Sequence, residues 1–222
     1  MEKKCNKIEV NGIHLYYEVC GQGQPVLLVH GNGESHEIFD VAVEELQKTC
    51  QVYTIDSRCH GNSEKTKEIS YKLMMEDTAA FIKKKNLKNL VFYGFSDGGI
   101  LGLLLAIKEP ELLSKLIISG ANLNPEGLKG VIRLSMKLVY MLKKDPFYRM
   151  MLEEPDIKGE ELEKIQIPVH VLAGERDMIR EEHTRFLADH IPDSTLEILK
   201  KESHGSYIIH SPKLAPILKK YI

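Results

Sequence analysis

No stretch of this sequence is apolar enough for long enough to cross a bilayer. Its charged start, Met1-Glu2-Lys3-Lys4-Cys5-Asn6-Lys7, does not lead into an apolar run of signal-peptide length. A soluble, cytoplasmic protein with no membrane partner is expected. An excess of charge is missing too: 30 Lys and Arg stand against 32 Asp and Glu, a formal balance of −2. Nothing in that balance calls for nucleic acid or anionic lipid as a partner. Close cysteine pairs are absent. Cys5, Cys20, Cys50 and Cys59 all fall near the start of the chain, at spacings that fit neither a zinc ribbon nor a redox motif, so free, mostly buried thiols are expected. None of the 9 histidines stands two or four residues from another, and no metal is expected. Repeats and low-complexity tracts are also missing.

What remains is a chain of 222 residues, enough for one domain with a single core. Its apolar residues come in two patterns. Lys7–Val10 and Ile13–Val19, on either side of an Asn11-Gly12 turn signal, predict an opening hairpin. Pro25–His30, Val52–Ile55, Leu90–Tyr93, Leu116–Ser119 and Val169–Leu172 are continuous short apolar runs, as in strands buried on both faces of a parallel sheet. Leu196–Leu199 predicts a last strand. Between them lie helical patterns. Tyr71, Met75, Ala79 and Ile82 mark one face of a helix running to about Lys85, and Gly98–Lys108 is apolar almost all round, a central helix stopped by Pro110. Further helices are predicted at Ile38–Lys48, Arg180–His190 and Pro212–Tyr221. Strands alternating with helices make βαβ units, hence an α/β fold.

One segment breaks the rhythm. From Asn122 to Ile167 no strand pattern occurs, and the helical sequence is rich in methionine and tyrosine. It reads as an inserted lid over roughly residues 123–165. Most of its large side chains should pack the insertion against the body, while a few, Met136 and Tyr140 among them, are candidates for contact with an irregular apolar ligand.

The chemistry centres on Gly94-Phe95-Ser96-Asp97-Gly98, a G-x-S-x-G run placed between a buried strand and an apolar helix. In such a turn a serine is presented on strained backbone, and glycines two residues either side relieve collisions. A serine hydroxyl needs a base to take its proton, usually a histidine oriented by a carboxylate. Asp177, in Ala173-Gly174-Glu175-Arg176-Asp177, follows a predicted strand at the carboxyl edge of the sheet, and His204, in Glu202-Ser203-His204-Gly205-Ser206, follows the last strand. Glu175 is the rival acid, nearer the strand. His183, His190 and His210 are rival bases, but they fall in or beside predicted helices, where a solvated or capping role is expected.

With these residues in place, the chain is identified as similar to the α/β-hydrolase superfamily over nearly its whole length. The likeness rests on His30-Gly31-Asn32-Gly33 after the third strand, Asp56-Ser57-Arg58-Cys59-His60-Gly61-Asn62-Ser63 after the fourth, the serine turn after the fifth, and the order Ser, Asp, His. The resemblance implies a mostly parallel sheet of about eight strands with helices on both faces and a short helical lid. It also implies an oxyanion hole from the backbone N–H groups of Asn32 and Asp97, no cofactor, and a small-molecule substrate cleaved as a carboxylic ester. Thioesters, amides, carbon–carbon bonds and a slow-turnover binding role stay open. Relatives with Asp at the serine position attack epoxides or carbon–halogen bonds, so Ser96 points to acyl transfer. Cys59 stands where glycine is frequent, and the loop after His30 lacks the triple glycine of the hormone-sensitive-lipase-like branch. His30 and His60 are expected to hydrogen-bond their own loops. The Asp97 carboxylate, beside the nucleophile, is a candidate to receive a cationic amine on the substrate.

Overall fold

A computed structural model describes residues 4–222. The chain opens with strands β1 (Lys4–Val10) and β2 (Ile13–Cys20), an antiparallel hairpin closed by Asn11 and Gly12, both at positive φ (48° and 77°), as a two-residue turn matching strand twist requires. Then come β3 (Gln24–Val29), α1 (Asp40–Leu46), β4 (Cys50–Ile55), α2 (Tyr71–Lys84), β5 (Val91–Phe95), α3 (Asp97–Lys108) and β6 (Lys115–Ser119). The segment after β6 carries α4 (Gly130–Lys143), α5 (Pro146–Glu153) and α6 (Gly159–Leu162). The chain ends with β7 (Val169–Arg176), α7 (Glu181–Asp189), β8 (Ser194–Ser203) and α8 (Leu214–Leu218).

All eight strands form one sheet in the order β1-β2-β4-β3-β5-β6-β7-β8. Pairing is antiparallel from β1 through β2 to β4 and parallel from there to β8. The continuous apolar runs are explained by two cores, one on each face. Along β3, Leu27 and Val29 enter the core shared with α2 and α3, while Val26 and Leu28 enter the one shared with α1 and α8. All four are fully buried, so period-2 alternation vanishes from the sequence although the pleat persists. The 14-residue α2 starts where Ser70 Oγ accepts the N–H of Leu73, and α3 is buried nearly all round, as its composition predicts.

Two helices are shorter than their patterns. In place of one helix over Ile38–Lys48, a 3-10 turn spans His36–Phe39, capped by Ser35 Oγ, which accepts the Glu37 N–H (3.3 Å), and α1 begins only at Asp40, without a side-chain cap. The terminal helix covers five residues of the predicted Pro212–Tyr221, since Pro212 and Pro216 supply no N–H to extend it. Among the described residues, no helix is long and apolar enough to cross a membrane.

Candidate active site

Parallel strands deliver their carboxyl ends to one edge of the sheet, and the predicted residues meet there. Ser96 lies between β5 and α3 at φ 53°, ψ −112°, a conformation costly for a side chain with Cβ. The turn is over-determined. Ser96 N–H donates to Ser119 O (2.8 Å) at the end of β6, and Gly98 N–H donates to His30 O (3.1 Å) after β3. A Cβ on Gly98 would stand 2.2 Å from Val29 O, and one on Gly94 2.1 Å from Gly98 O, so both glycines are steric necessities.

His204 Nε2 lies 3.1 Å from Ser96 Oγ, and His204 Nδ1 lies 2.6 Å from Asp177 Oδ1. With Nδ1 donating to the carboxylate, Nε2 is left as the acceptor for the serine proton. Asp177 is buried. Burial alone would push its carboxyl up, but the His204 hydrogen bond and charge outweigh it. The N–H groups of Ile179 (3.0 Å) and Gly174 (3.4 Å) add to that pull, and together they hold the carboxyl below its ordinary value. Gly120, at φ 63° after β6, makes room for the imidazole of His204: a Cβ there would stand 2.6 Å from its Cε1.

The rivals are placed elsewhere. Glu175 turns outward and accepts the Lys201 N–H (2.8 Å). His190 is half-buried, with its Nδ1 near Phe186 O, and His210 is exposed, with its Nδ1 near Asp40 Oδ1. His183 differs from the solvated or capping role expected of it: it is buried, and its Nε2 accepts the Leu123 N–H (2.9 Å), tying down the segment after β6. His30 and His60 hold their own loops. His30 accepts the Ser57 N–H at Nε2 (3.1 Å), so its Nδ1 carries the proton given to Gly31 O (2.7 Å), and burial next to His60 lowers its pKa to about 4, keeping it neutral. His60 Nδ1 lies 2.9 Å from Arg58 O.

A cleft of about 220 Å³ opens over the serine, walled by Gly31, Asn32, Glu34, Phe95, Ser96 and His204 below and by Met136, Tyr148, Met151 and Met178 above. The backbone N–H groups of Asn32 and Asp97 have no protein acceptor among the described residues, and that of Asp97 opens α3, where the helix dipole favours negative charge.

Of the three side chains expected to touch a substrate, Met136 is in the wall, whereas Tyr140 and the Asp97 carboxylate are not. Asp97 is 3% exposed, and its oxygens are taken: Tyr71 OH donates to Oδ1 (2.8 Å) and the Asn32 side-chain amide to Oδ2 (3.0 Å). Burial raises its pKa despite those two donors. The carboxylate that does face the cleft is Glu34, raised by its own partial burial against the pull of the Gly31 N–H (3.0 Å). Sequence reasoning passed over Glu34 because a lone acid in a glycine-rich loop carries no periodic signal. Its position two residues past Asn32 was the available clue. No group of three or more His, Cys, Asp or Glu that could hold a metal occurs among the described residues.

A strand-turn-helix serine with a histidine and a carboxylate from later strands, on this sheet order, defines an α/β-hydrolase. The model of the alpha/beta hydrolase fold matches residues 24–147, more than half of the chain, and the protein belongs to that family. It is 26% identical over 236 residues to "Serine hydrolase BPHL" from Homo sapiens, covering 91% of this chain and 80% of the human protein. The fold is shared with the solved structure of Est816, described as an N-acyl homoserine lactone degrading enzyme (TM-score 0.82, 21% identity, 98% of this chain and 100% of that one). It is shared likewise with a thermophilic esterase from Thermogutta terrifontis (TM-score 0.80, 21% identity, 98% and 97%).

Proposed function

We propose that this hydrolase cleaves a small to medium carboxylic ester through an acyl-enzyme on Ser96. The observation that carries the reading is the unbroken relay from Ser96 Oγ through His204 to the buried Asp177. His204 Nε2 takes the serine proton as Oγ attacks the carbonyl carbon, and Asp177 stabilises the imidazolium that results. The carbonyl oxygen, now negative, takes up the N–H groups of Asn32 and Asp97, donors worth about 3 kcal/mol each. His204 then returns the proton to the leaving alcohol. Water repeats the sequence to free the acid and restore the serine hydroxyl.

The relationship to a protein called a serine hydrolase supports this assignment. A cleft of about 220 Å³ supports a short acyl group, being smaller than the pockets of about 300–1,000 Å³ that hold drug-sized ligands. The helices between β6 and β7 act as the lid, with Met136, Tyr148 and Met151 adapting to the substrate. Cys5, Cys50 and Cys59 are unbridged, in keeping with a reducing cytoplasmic setting.

Turnover of p-nitrophenyl acetate and butyrate, with fluorophosphonate labelling, tests the reading. Wild type should hydrolyse both esters and label. Ser96→Ala should not label and should lose roughly 10⁴-fold or more in kcat. A wild type that neither turns over esters nor labels would replace the enzyme with a ligand-binding protein.

A further inference from the structure

The helix α4 has no buried residue over its 14 positions, although it is strongly apolar. At about 100° per residue its side chains divide into two opposed apolar faces. Ile132, Met136, Val139 and Tyr140 are half-buried toward the body, and Met136 reaches the cleft. Val131, Leu134, Leu138, Met141 and Leu142 point the other way, within an arc of about 100°, and are exposed, Val131 by 72% and Leu142 by 85%. Exposed large apolar side chains are few elsewhere: only Phe186 and Ile209 join these five among the described residues. A contiguous apolar stripe in water marks a surface meant to be covered.

The charges around the stripe say by what. From Lys129 to Lys144 the sequence holds Lys129, Arg133, Lys137, Lys143 and Lys144 and not one acidic residue. The whole chain, by contrast, balances to −2, so the average conceals a local cation cluster. Arg133 pairs with Glu126, but none of the four lysines has an ion-pair partner among the described residues. An apolar stripe on a helix whose only charged side chains are cations is the pattern of a helix that lies in the interface of an anionic membrane, its apolar side chains among the acyl chains and its lysines at the headgroups. A second copy of this chain would set the same cations against each other across a two-fold interface, at a Coulombic cost.

We infer that the outer face of α4 docks on an anionic lipid surface. The same helix lines the cleft on its inner side, so docking would set the mouth of the site against the lipid. That consequence rests on the hydrolase reading, whereas docking itself does not.

Vesicle co-sedimentation of the full chain tests it. Wild type should bind vesicles of equimolar phosphatidylcholine and phosphatidylglycerol and not those of phosphatidylcholine alone. Binding should weaken as salt rises from about 0.1 M to about 1 M, where screening contracts from about 10 Å to about 3 Å. The variant Leu134→Asn/Leu138→Asn/Leu142→Asn should bind ~tenfold more weakly or worse, and Lys137→Gln/Lys143→Gln should lose several-fold. Both should keep wild-type p-nitrophenyl acetate turnover, since none of these side chains reaches the cleft. Failure of wild type to bind anionic vesicles overturns the inference while leaving the ester assay to judge the hydrolase reading separately. So does binding that the leucine variant leaves unchanged. A dimer seen by sedimentation velocity and abolished by the leucine variant would give the face to a second copy instead.

Discussion

Removing the Tyr71 hydroxyl tests the assignment of Asp97 as a structural carboxylate beneath the site. In Tyr71→Phe the ring still fills its buried place, and only the donor to Asp97 Oδ1 (2.8 Å) is lost. A hydrogen bond to a charged group contributes about 1.5–3 kcal/mol, and Oδ1 is left with no other donor among the described residues. At about 2–4 °C per kcal/mol for a domain of this size, the melting temperature at neutral pH should fall by about 3–12 °C.

The pH dependence makes the test specific. Asp97 has a folded pKa above its ordinary value because burial opposes ionisation, while Tyr71 and Asn32 pull the other way. A raised carboxyl binds more protons folded than unfolded, so its ionisation erodes stability as pH rises through the folded pKa. The Tyr71 bond favours the ionised form, and losing it raises that pKa further. The variant's deficit should therefore be largest above the folded pKa of Asp97 and shrink as pH falls through it. Differential scanning calorimetry across a pH series reads both quantities. An unchanged melting temperature, or a deficit that stays constant with pH, would refute the reasoning.

Two other substitutions bear on the chemistry. Asp177→Asn should lower kcat for p-nitrophenyl acetate on the order of 10⁴-fold by spoiling the tautomer of His204, without loss of fold by circular dichroism; a drop under tenfold would remove Asp177 from the relay. Its carboxyl is held below the ordinary value, so the wild type's advantage in stability from this group should be present at neutral pH and disappear as pH falls through the folded pKa. Glu34→Gln removes the one carboxylate in the cleft wall, and an ester with an anionic acyl group, such as a hemisuccinate, should gain about fivefold in kcat/KM relative to a neutral one, the equivalent of ~1 kcal/mol of relieved repulsion in a half-open site. An unchanged ratio would mean that Glu34 serves only the Gly31 loop.

The parts of this molecule that were legible in its sequence are those whose cause is local. β3, β5 and β6 announce themselves because burial on both faces leaves a nearly continuous apolar run, and Ser96 because a strained turn demands glycines at fixed offsets. Asp177 and His204 could be found by their place after strands. The short reach of α1 and α8 was harder, since one serine cap on a 3-10 turn and two prolines act at single residues against an apolar pattern that would otherwise continue. The structural partnership beneath the site left no trace at all. Tyr71 lies 26 positions before Asp97, and nothing in either neighbourhood pairs them. The apolar residues of α4 were equally plain, yet a pattern of residue types cannot tell a covered face from an open one when both are apolar.

Asp97 shows how a local signal can be correct in place and different in role. A carboxylate beside Ser96 invites a cation, but its two oxygens are bonded to α2 through Tyr71 and to the loop after β3 through Asn32. The residues whose backbone N–H groups are proposed to receive the oxyanion, Asn32 and Asp97, are thus joined by their own side chains at 3.0 Å. Donors fixed before the reaction need no reorganisation as charge develops, and that is where their contribution to rate arises. Burying the Asp97 charge costs stability, as its raised pKa records, and the cost is offset only as far as Tyr71 and Asn32 hold it. A clamp of this kind accounts for an acid at a position that no substrate need touch, and it makes Glu34, not Asp97, the charge a substrate would meet.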